Sequence, residues 1–153
     1  MLAAERDLAR WTAMSQIVEG YELIGAAGST LMPCAPALLA GTRHLPKAIV
    51  TSGSAAAARA VLARLGVPVE AVVGRNPALA MKPAPGQVLE ALRLLGVGPG
   101  EAIMAGDGVR DEVAARATGV RFVGIANGRP AAGFDPATTA VENLRGLLGA
   151  PAG

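Results

Sequence analysis

The 153-residue sequence predicts an α/β fold, an open parallel sheet with helices on both faces. Short apolar runs rich in Val, Ile and Ala alternate with helical patterns, which is the signature of βα units joined by crossovers. The composition is 52% hydrophobic but only 3% aromatic, so the core is built from small aliphatic side chains, as in helices packed closely on a sheet. The length suits about one domain.

Apolar positions from Leu8 through Trp11 to Val18 fall a helical turn apart, and residues 5–19 read as an amphipathic helix ended by Gly20. Tyr21 to Met32 is Gly-rich and leaves its conformation open, and Pro36 to Gly41 reads as a short helix opened by proline. Ala48 to Thr51 is the first strand. Ser54 caps the next helix, whose inner face is Ala58, Val61, Leu62 and Leu65 and which ends at Gly66. Val69 to Val73 is the second strand. A helix with Val88, Ala91, Leu92 and Leu95 on one face is closed by Gly96 and leads to a strand at Ala102 to Ala105. A helix from Asp111 to Thr118, a strand from Arg121 to Ile125 and a last helix from Val141 to Leu148 complete the pattern, and the tail Gly149 to Gly153 is expected to fray.

Several functions are disfavoured. The net charge of +2 comes from scattered arginines without basic runs or interleaved aromatics, which argues against nucleic acid as a partner. No apolar stretch reaches the roughly 20 residues that span a bilayer, and Met1 to Arg10 is charged and unlike a signal peptide, so no membrane association and a cytoplasmic location are expected. Cys34 is alone and cannot form an intrachain disulfide, and Cys34 with the single His44 makes no zinc site.

Ligands of open parallel sheets bind beyond the carboxyl ends of strands. The first strand delivers Thr51, Ser52 and Gly53 there, two hydroxyls and a run of backbone N–H groups leading into a helix, which suits an oxyanion. The strand ending at Ala105 delivers Asp107 and, four residues on, Asp111. Two carboxylates so close favour a cation between them, and oxygen-only ligands suit Mg²⁺. Lys82 opens the loop between these strand ends. It is one of only two lysines against twelve arginines, in keeping with a compact point charge at this place.

Ala48-Ile49-Val50-Thr51-Ser52, Lys82-Pro83-Ala84-Pro85 and Met104-Ala105-Gly106-Asp107-Gly108-Val109-Arg110-Asp111 resemble, in order and spacing, three signature motifs of the haloacid dehalogenase-like hydrolases. The resemblance runs from about Met32 to Gly128 and is greatest to the phosphoglycolate-phosphatase-like branch. It implies a Rossmann-like core over residues 31–153 and, over residues 1–30, the remnant of a helical cap. It further implies that Thr51 binds the transferring phosphoryl group of a small phosphorylated metabolite and that Lys82 offsets its charge. Asp107 would hold Mg²⁺, and Asp111 would bind or orient the metal's waters.

One family motif has no counterpart. The Asp-x-Asp that ends the family's first strand, and supplies the aspartyl nucleophile, occurs nowhere in the sequence; Asp7 and Asp135 do not follow apolar strands. That strand lies at the centre of the family's sheet, so its absence predicts unpaired strand edges beside Thr51 and Asp107. The segment Ser15 to Ile24, another chain, whether a homo-oligomer or a partner strand, or an upstream extension are the alternatives for filling the place. The resemblance therefore implies a Mg²⁺-dependent phosphatase lineage whose given chain is inactive or truncated, for instance by a misplaced start codon, in a bacterial setting suggested by the Ala-, Gly- and Arg-rich composition. The alternative is a non-catalytic phosphate- or metal-binding or scaffold protein. A phospho-receiver domain fits less well, because its acidic residues precede the Thr and Lys.

Overall fold

The computed structural model describes residues 2–128 and 133–149, with side chains from Asp7 onward. It has the expected α/β architecture. Helix α1 (Leu2–Gly28) is followed by α2 (Ala35–Gly41), β1 (Ala48–Val50), α3 (Ala55–Arg64), β2 (Ala71–Val73), α4 (Gly86–Leu95), β3 (Ile103–Gly106), α5 (Val109–Thr118), β4 (Arg121–Ile125) and β5 (Ala140–Val141). The expected tail lies outside the described residues from position 150 on.

Local signals explain most boundaries. Ser54 Oγ accepts hydrogen bonds from Ala56 N at 3.1 Å and Ala57 N at 3.2 Å, satisfying two of the free N–H groups that open α3. Gly96 and Gly119 close α4 and α5 in the left-handed region, at φ 68° and 75°, where a side chain would be strained. The apolar face of α4 is buried as its periodicity requires. Val88 and Leu92 join Ala114, Ala115 and Val120 in a core under β3 and β4, with Met104 and Phe122 packed against it. By contrast Ala58, Val61, Leu62 and Leu65 on α3 are only half-buried, and Ala57 is the buried residue of that helix.

Two expectations fail. Gly20 does not end the first helix, and α1 runs on through the Gly-rich segment to Gly28. Each glycine costs a helix about 1 kcal/mol relative to alanine, but α1 is anchored on α3 and on Arg75, just past β2, by Ser15, Glu19, Glu22 and Ala26. Tertiary contacts therefore override the local breaker. Ser15 to Ile24 belongs to this helix and fills no place in a sheet. The second failure is at Val141 to Leu148, where the apolar run suggested a helix. Ala140 and Val141 instead pair with Gly124 and Ile125, and a 3₁₀ turn follows over Leu144–Leu148, opened by the Asn143 side chain accepting from Arg145 N. Gly146 turns in so tightly that a Cβ there would lie 2.6 Å from Val141.

The strands form two parallel groups. β1 pairs with β2, Ala48 opposite Ala71 through Val50 opposite Val73. β3 pairs with β4, Ile103 opposite Arg121 through Gly106 opposite Gly124, and β4 with β5. Among the described residues no ladder joins β1 to β3. Ile103 of β3 is 60% exposed, whereas Val123 of the neighbouring β4 is 1% exposed. Each of β1 and β3 thus presents one unpaired side. Among the described residues, no helix is long and apolar enough to cross a membrane.

Candidate functional site

The carboxyl ends of β1 and β3 are joined by one side chain. Lys82 is buried, and its Nζ donates to Val50 O at the end of β1, at 3.0 Å, while pairing with Asp111 Oδ1 in the first turn of α5, at 2.5 Å. Its backbone is held as firmly. Lys82 N donates to Gln87 Oε1 at 3.2 Å, and Lys82 O accepts from the guanidinium of Arg110. A desolvated ammonium with two oxygen partners is a strong local positive charge, and it stands one residue from Thr51.

Thr51 leads the turn into α3. Its Oγ1 accepts from Gly53 N at 3.0 Å, which leaves the hydroxyl proton free to be donated outward. The N–H groups of this turn are less available than the sequence suggested. Gly53 N is taken by Thr51, Ser54 N donates to Glu22 Oε2 at 2.9 Å, and Ala56 N and Ala57 N are taken by Ser54 itself. The Ser52 side chain is exposed beside them.

Arg75, just past β2, braces the turn from behind. Its N–H donates to Gly53 O at 2.7 Å, and its guanidinium meets Ser52 O at 3.4 Å, Ser15 Oγ at 2.9 Å and both carboxylate oxygens of Glu22. The Arg75 hydrogen bond holds the Glu22 carboxyl below the usual glutamate range; partial burial opposes this, and the bond from Ser54 N adds to it. Glu19 accepts the Ser54 hydroxyl. The turn is therefore clamped between α1 and β2.

Asp107 and Asp111 share the loop at the tip of β3. Asp111 Oδ2 accepts from Gly108 N at 3.3 Å and closes the first turn of α5, while Oδ1 faces Lys82. Asp107 is exposed at the strand end. Gly106 makes room for this arrangement, since a Cβ there would lie 2.7 Å from Asp111. Among the described residues no group of three or more His, Cys, Asp or Glu side chains gathers in metal-holding geometry. Two carboxylates with exposed surface beside them fit a hard cation that keeps most of its waters, not an all-protein cage.

Thr51, Lys82 and Asp111 are thus brought together by direct bonds or adjacent atoms, with Asp107 on the same loop. Sequence reasoning missed three contributors. Gln87 is fully buried and donates to Thr51 O at 2.8 Å and Gly74 O at 3.0 Å while accepting from Lys82 N. Its signal was present, because it lies four residues before Ala91 on the apolar face of α4. The Glu22–Arg75 pair, at 3.1 Å, bridges residues far apart in the chain and left no local trace, and the same holds for Arg110 on Lys82.

Comparison with known proteins gives this geometry a family. The description of a hydrolase, haloacid dehalogenase-like hydrolase, matches residues 4–119. Phosphoglycolate phosphatase of Rhodospirillum rubrum is 32% identical over 126 residues, covering 80% of this chain and 52% of that protein. Phosphoglycolate phosphatase 1 of Pseudomonas aeruginosa is 36% identical over 81 residues, 50% of this chain and 29% of that protein. The chain thus spans about half the length, or less, of these relatives. Among solved structures, a HAD phosphatase from Thermococcus onnurineus superposes with a TM-score of 0.66 at 28% identity, over 77% of this chain and 56% of that one. CbbY from Rhodobacter sphaeroides in complex with phosphate superposes with a TM-score of 0.71 at 20% identity, over 82% and 60%, and shares the fold. With most of its length matched by that description and its motif residues converging at the strand tips, the chain belongs to the haloacid dehalogenase-like hydrolases.

Proposed function

We propose that these residues carry the phosphate-facing and magnesium-facing part of a phosphomonoester hydrolase acting on small phosphorylated metabolites in the cytoplasm. One observation carries the reading: a buried Lys82 ammonium tied to the end of β1 and to Asp111 at the start of α5. In this reading the Thr51 and Ser52 hydroxyls donate to phosphoryl oxygens seated against Gly53, and Lys82 offsets their charge. Asp107 and Asp111 hold Mg²⁺, which when bound supplies further charge neutralisation at those oxygens. Residues 1–30 are the remnant of a cap, and residues 31–153 are the core domain.

The same reading makes the site incomplete. Aspartyl-phosphate chemistry needs a carboxylate nucleophile, and the sequence has no Asp-x-Asp. The open sides of β1 and β3 support a strand from outside these residues, an upstream segment or a second chain, pairing between them and bringing that carboxylate beside Lys82. The 153 residues alone then turn over little or no substrate. The names of the two phosphatase relatives make 2-phosphoglycolate the first substrate to test.

The test separates binding from turnover. Inorganic phosphate with Mg²⁺ is expected to raise the melting temperature of the chain, and Thr51→Ala or Asp107→Asn to abolish the rise. No stabilisation at millimolar phosphate refutes the site. Hydrolysis of 2-phosphoglycolate by the chain alone, lost in Asp107→Asn, keeps the site but refutes its incompleteness. Stabilisation without turnover, even after a peptide strand bearing Asp-x-Asp is supplied, favours a binding protein.

A further inference from the structure

The Thr51 turn already holds an anion of the chain's own. Glu22 reaches across from α1, and its Oε2 accepts from Ser54 N at 2.9 Å, at the mouth of α3. Its Oε1 borders the hydroxyl read above as phosphate-facing. The place that a Cβ on Gly53 would take lies 3.0 Å from Glu22 Oε1 and 3.4 Å from Thr51 Oγ1, so carboxylate and hydroxyl share one small space. Arg75 bonds both carboxylate oxygens, at 3.1 and 3.2 Å, and keeps Glu22 ionised. The two side chains are 27% and 13% exposed, so water screens them incompletely. A turn suited to an oxyanion is thus flanked by a fixed negative charge, and the cation that could have made it strongly positive is spent on that charge.

We propose that Glu22 restrains this site: held at the Thr51 turn by the docking of α1, its carboxylate weakens phosphate binding, and loss of its charge tightens it. The inference rests on Thr51 and Lys82 forming the phosphate seat, and it adds regulation of that seat by α1. Unit charges about 6–8 Å apart shift an equilibrium about two- to threefold in the dielectric of water, and a phosphate dianion carries the effect twice. Phosphate should therefore bind roughly five- to tenfold more tightly once residue 22 is neutral. By the same linkage, bound phosphate works against the docking of α1.

Calorimetric titration of inorganic phosphate into the chain, with Mg²⁺ present, tests this on Glu22→Gln at a temperature where circular dichroism shows the variant folded. Glu22→Gln should melt below the wild type and yet bind phosphate roughly five- to tenfold more tightly, a pair of opposite signs that a purely structural brace does not give. The gain should shrink in about 1 M salt. Glu22→Gln with Arg75→Gln should return the affinity toward the wild-type value, because both charges then leave together. Wild-type binding with unchanged or weaker binding in Glu22→Gln overturns the restraint and leaves the phosphate site standing. Absence of binding in both proteins refutes the site, and the restraint with it. The wild-type chain supplies a measurement that needs no variant: saturating phosphate should speed amide hydrogen exchange in α1 around Glu19 to Gly25 while slowing it in β1. Slowing in both segments overturns the restraint.

Discussion

Lys82 Nζ lies 2.5 Å from Asp111 Oδ1 and 3.0 Å from Val50 O, so a single ammonium joins the β1–β2 pair to the β3–β4–β5 group across edges that share no ladder. Both side chains are largely shielded from solvent, which reduces screening by salt. Removing one partner strands the other charge. Lys82→Met is expected to cost about 3 kcal/mol, a large share of a total stability of about 5–15 kcal/mol. A cycle of Lys82→Met with Asp111→Asn, followed by urea unfolding, should return a coupling of about 1–3 kcal/mol. Additive effects would show that the pair does not hold the two groups together.

Gln87 is fully buried, and its amide serves three backbone groups: Thr51 O, Gly74 O and Lys82 N. Replacement by an apolar side chain of similar size leaves all three without a partner away from water. Gln87→Leu should therefore destabilise by about 1–3 kcal/mol for each group left unpaired, despite filling the same space. Gln87→Glu keeps an acceptor for Lys82 N but offers no donor to Thr51 O or Gly74 O. Thermal unfolding that ranked Gln87→Leu as neutral would refute this account.

The fold was legible because βα units write themselves into local pattern. β4 was found with its observed bounds, and the strands and caps around α3, α4 and α5 fall within a few residues of their expected places. What failed depended on distant contacts. Gly20 reads as a helix end, and only the docking of Glu19 and Glu22 on the start of α3 carries α1 past it. β5 is two residues long and exists through its partner β4, so its own composition announces nothing. The motif residues were legible, whereas the Glu22–Arg75 brace, built from residues 53 positions apart, was not.

Two glycines separate tolerance from collision. A Cβ at Gly74 would lie 2.3 Å from Ala55 N and 2.8 Å from Gly53 O, backbone atoms of the turn that carries Thr51. One at Gly106 would meet Asp111 at 2.7 Å, both at its Cβ, which the backbone fixes, and at its carboxylate oxygen, which can rotate away at the expense of the bond to Lys82. Gly74→Ala is expected to fall at or above the upper end of the usual overpacking cost of about 1–3 kcal/mol, and Gly106→Ala within it. Combining Gly106→Ala with Asp111→Ala should recover part of the loss, since the collision with the carboxylate is then removed while that with the Cβ of residue 111 remains. Gly74→Ala has no such rescue. Equal Tm losses in the two single variants would contradict this ranking.

Acid should loosen the clamp on the Thr51 turn before it unfolds the core. Glu22 is held below the ordinary glutamate range by the Arg75 hydrogen bond, with partial burial opposing and the bond from Ser54 N reinforcing. Between the lowered folded value and the unfolded value near about 4.3, the unfolded state binds more protons, so stability rises with pH there. The contribution of Glu22 is complete above the unfolded value and is lost as pH falls through the folded one. Protonation converts Glu22 from the partner of the Arg75 guanidinium into a neutral acid that no longer neutralises it. Glu22→Gln should therefore lower stability at pH 7 and flatten the dependence on pH below about 4.5. Tryptophan fluorescence offers a local readout, because Trp11 is the protein's single tryptophan and lies on α1, one turn before Ser15. If the brace acts as described, the Trp11 signal shifts at higher pH than the far-ultraviolet circular dichroism; superposed transitions in the wild-type chain would show that α1 and the core come apart together.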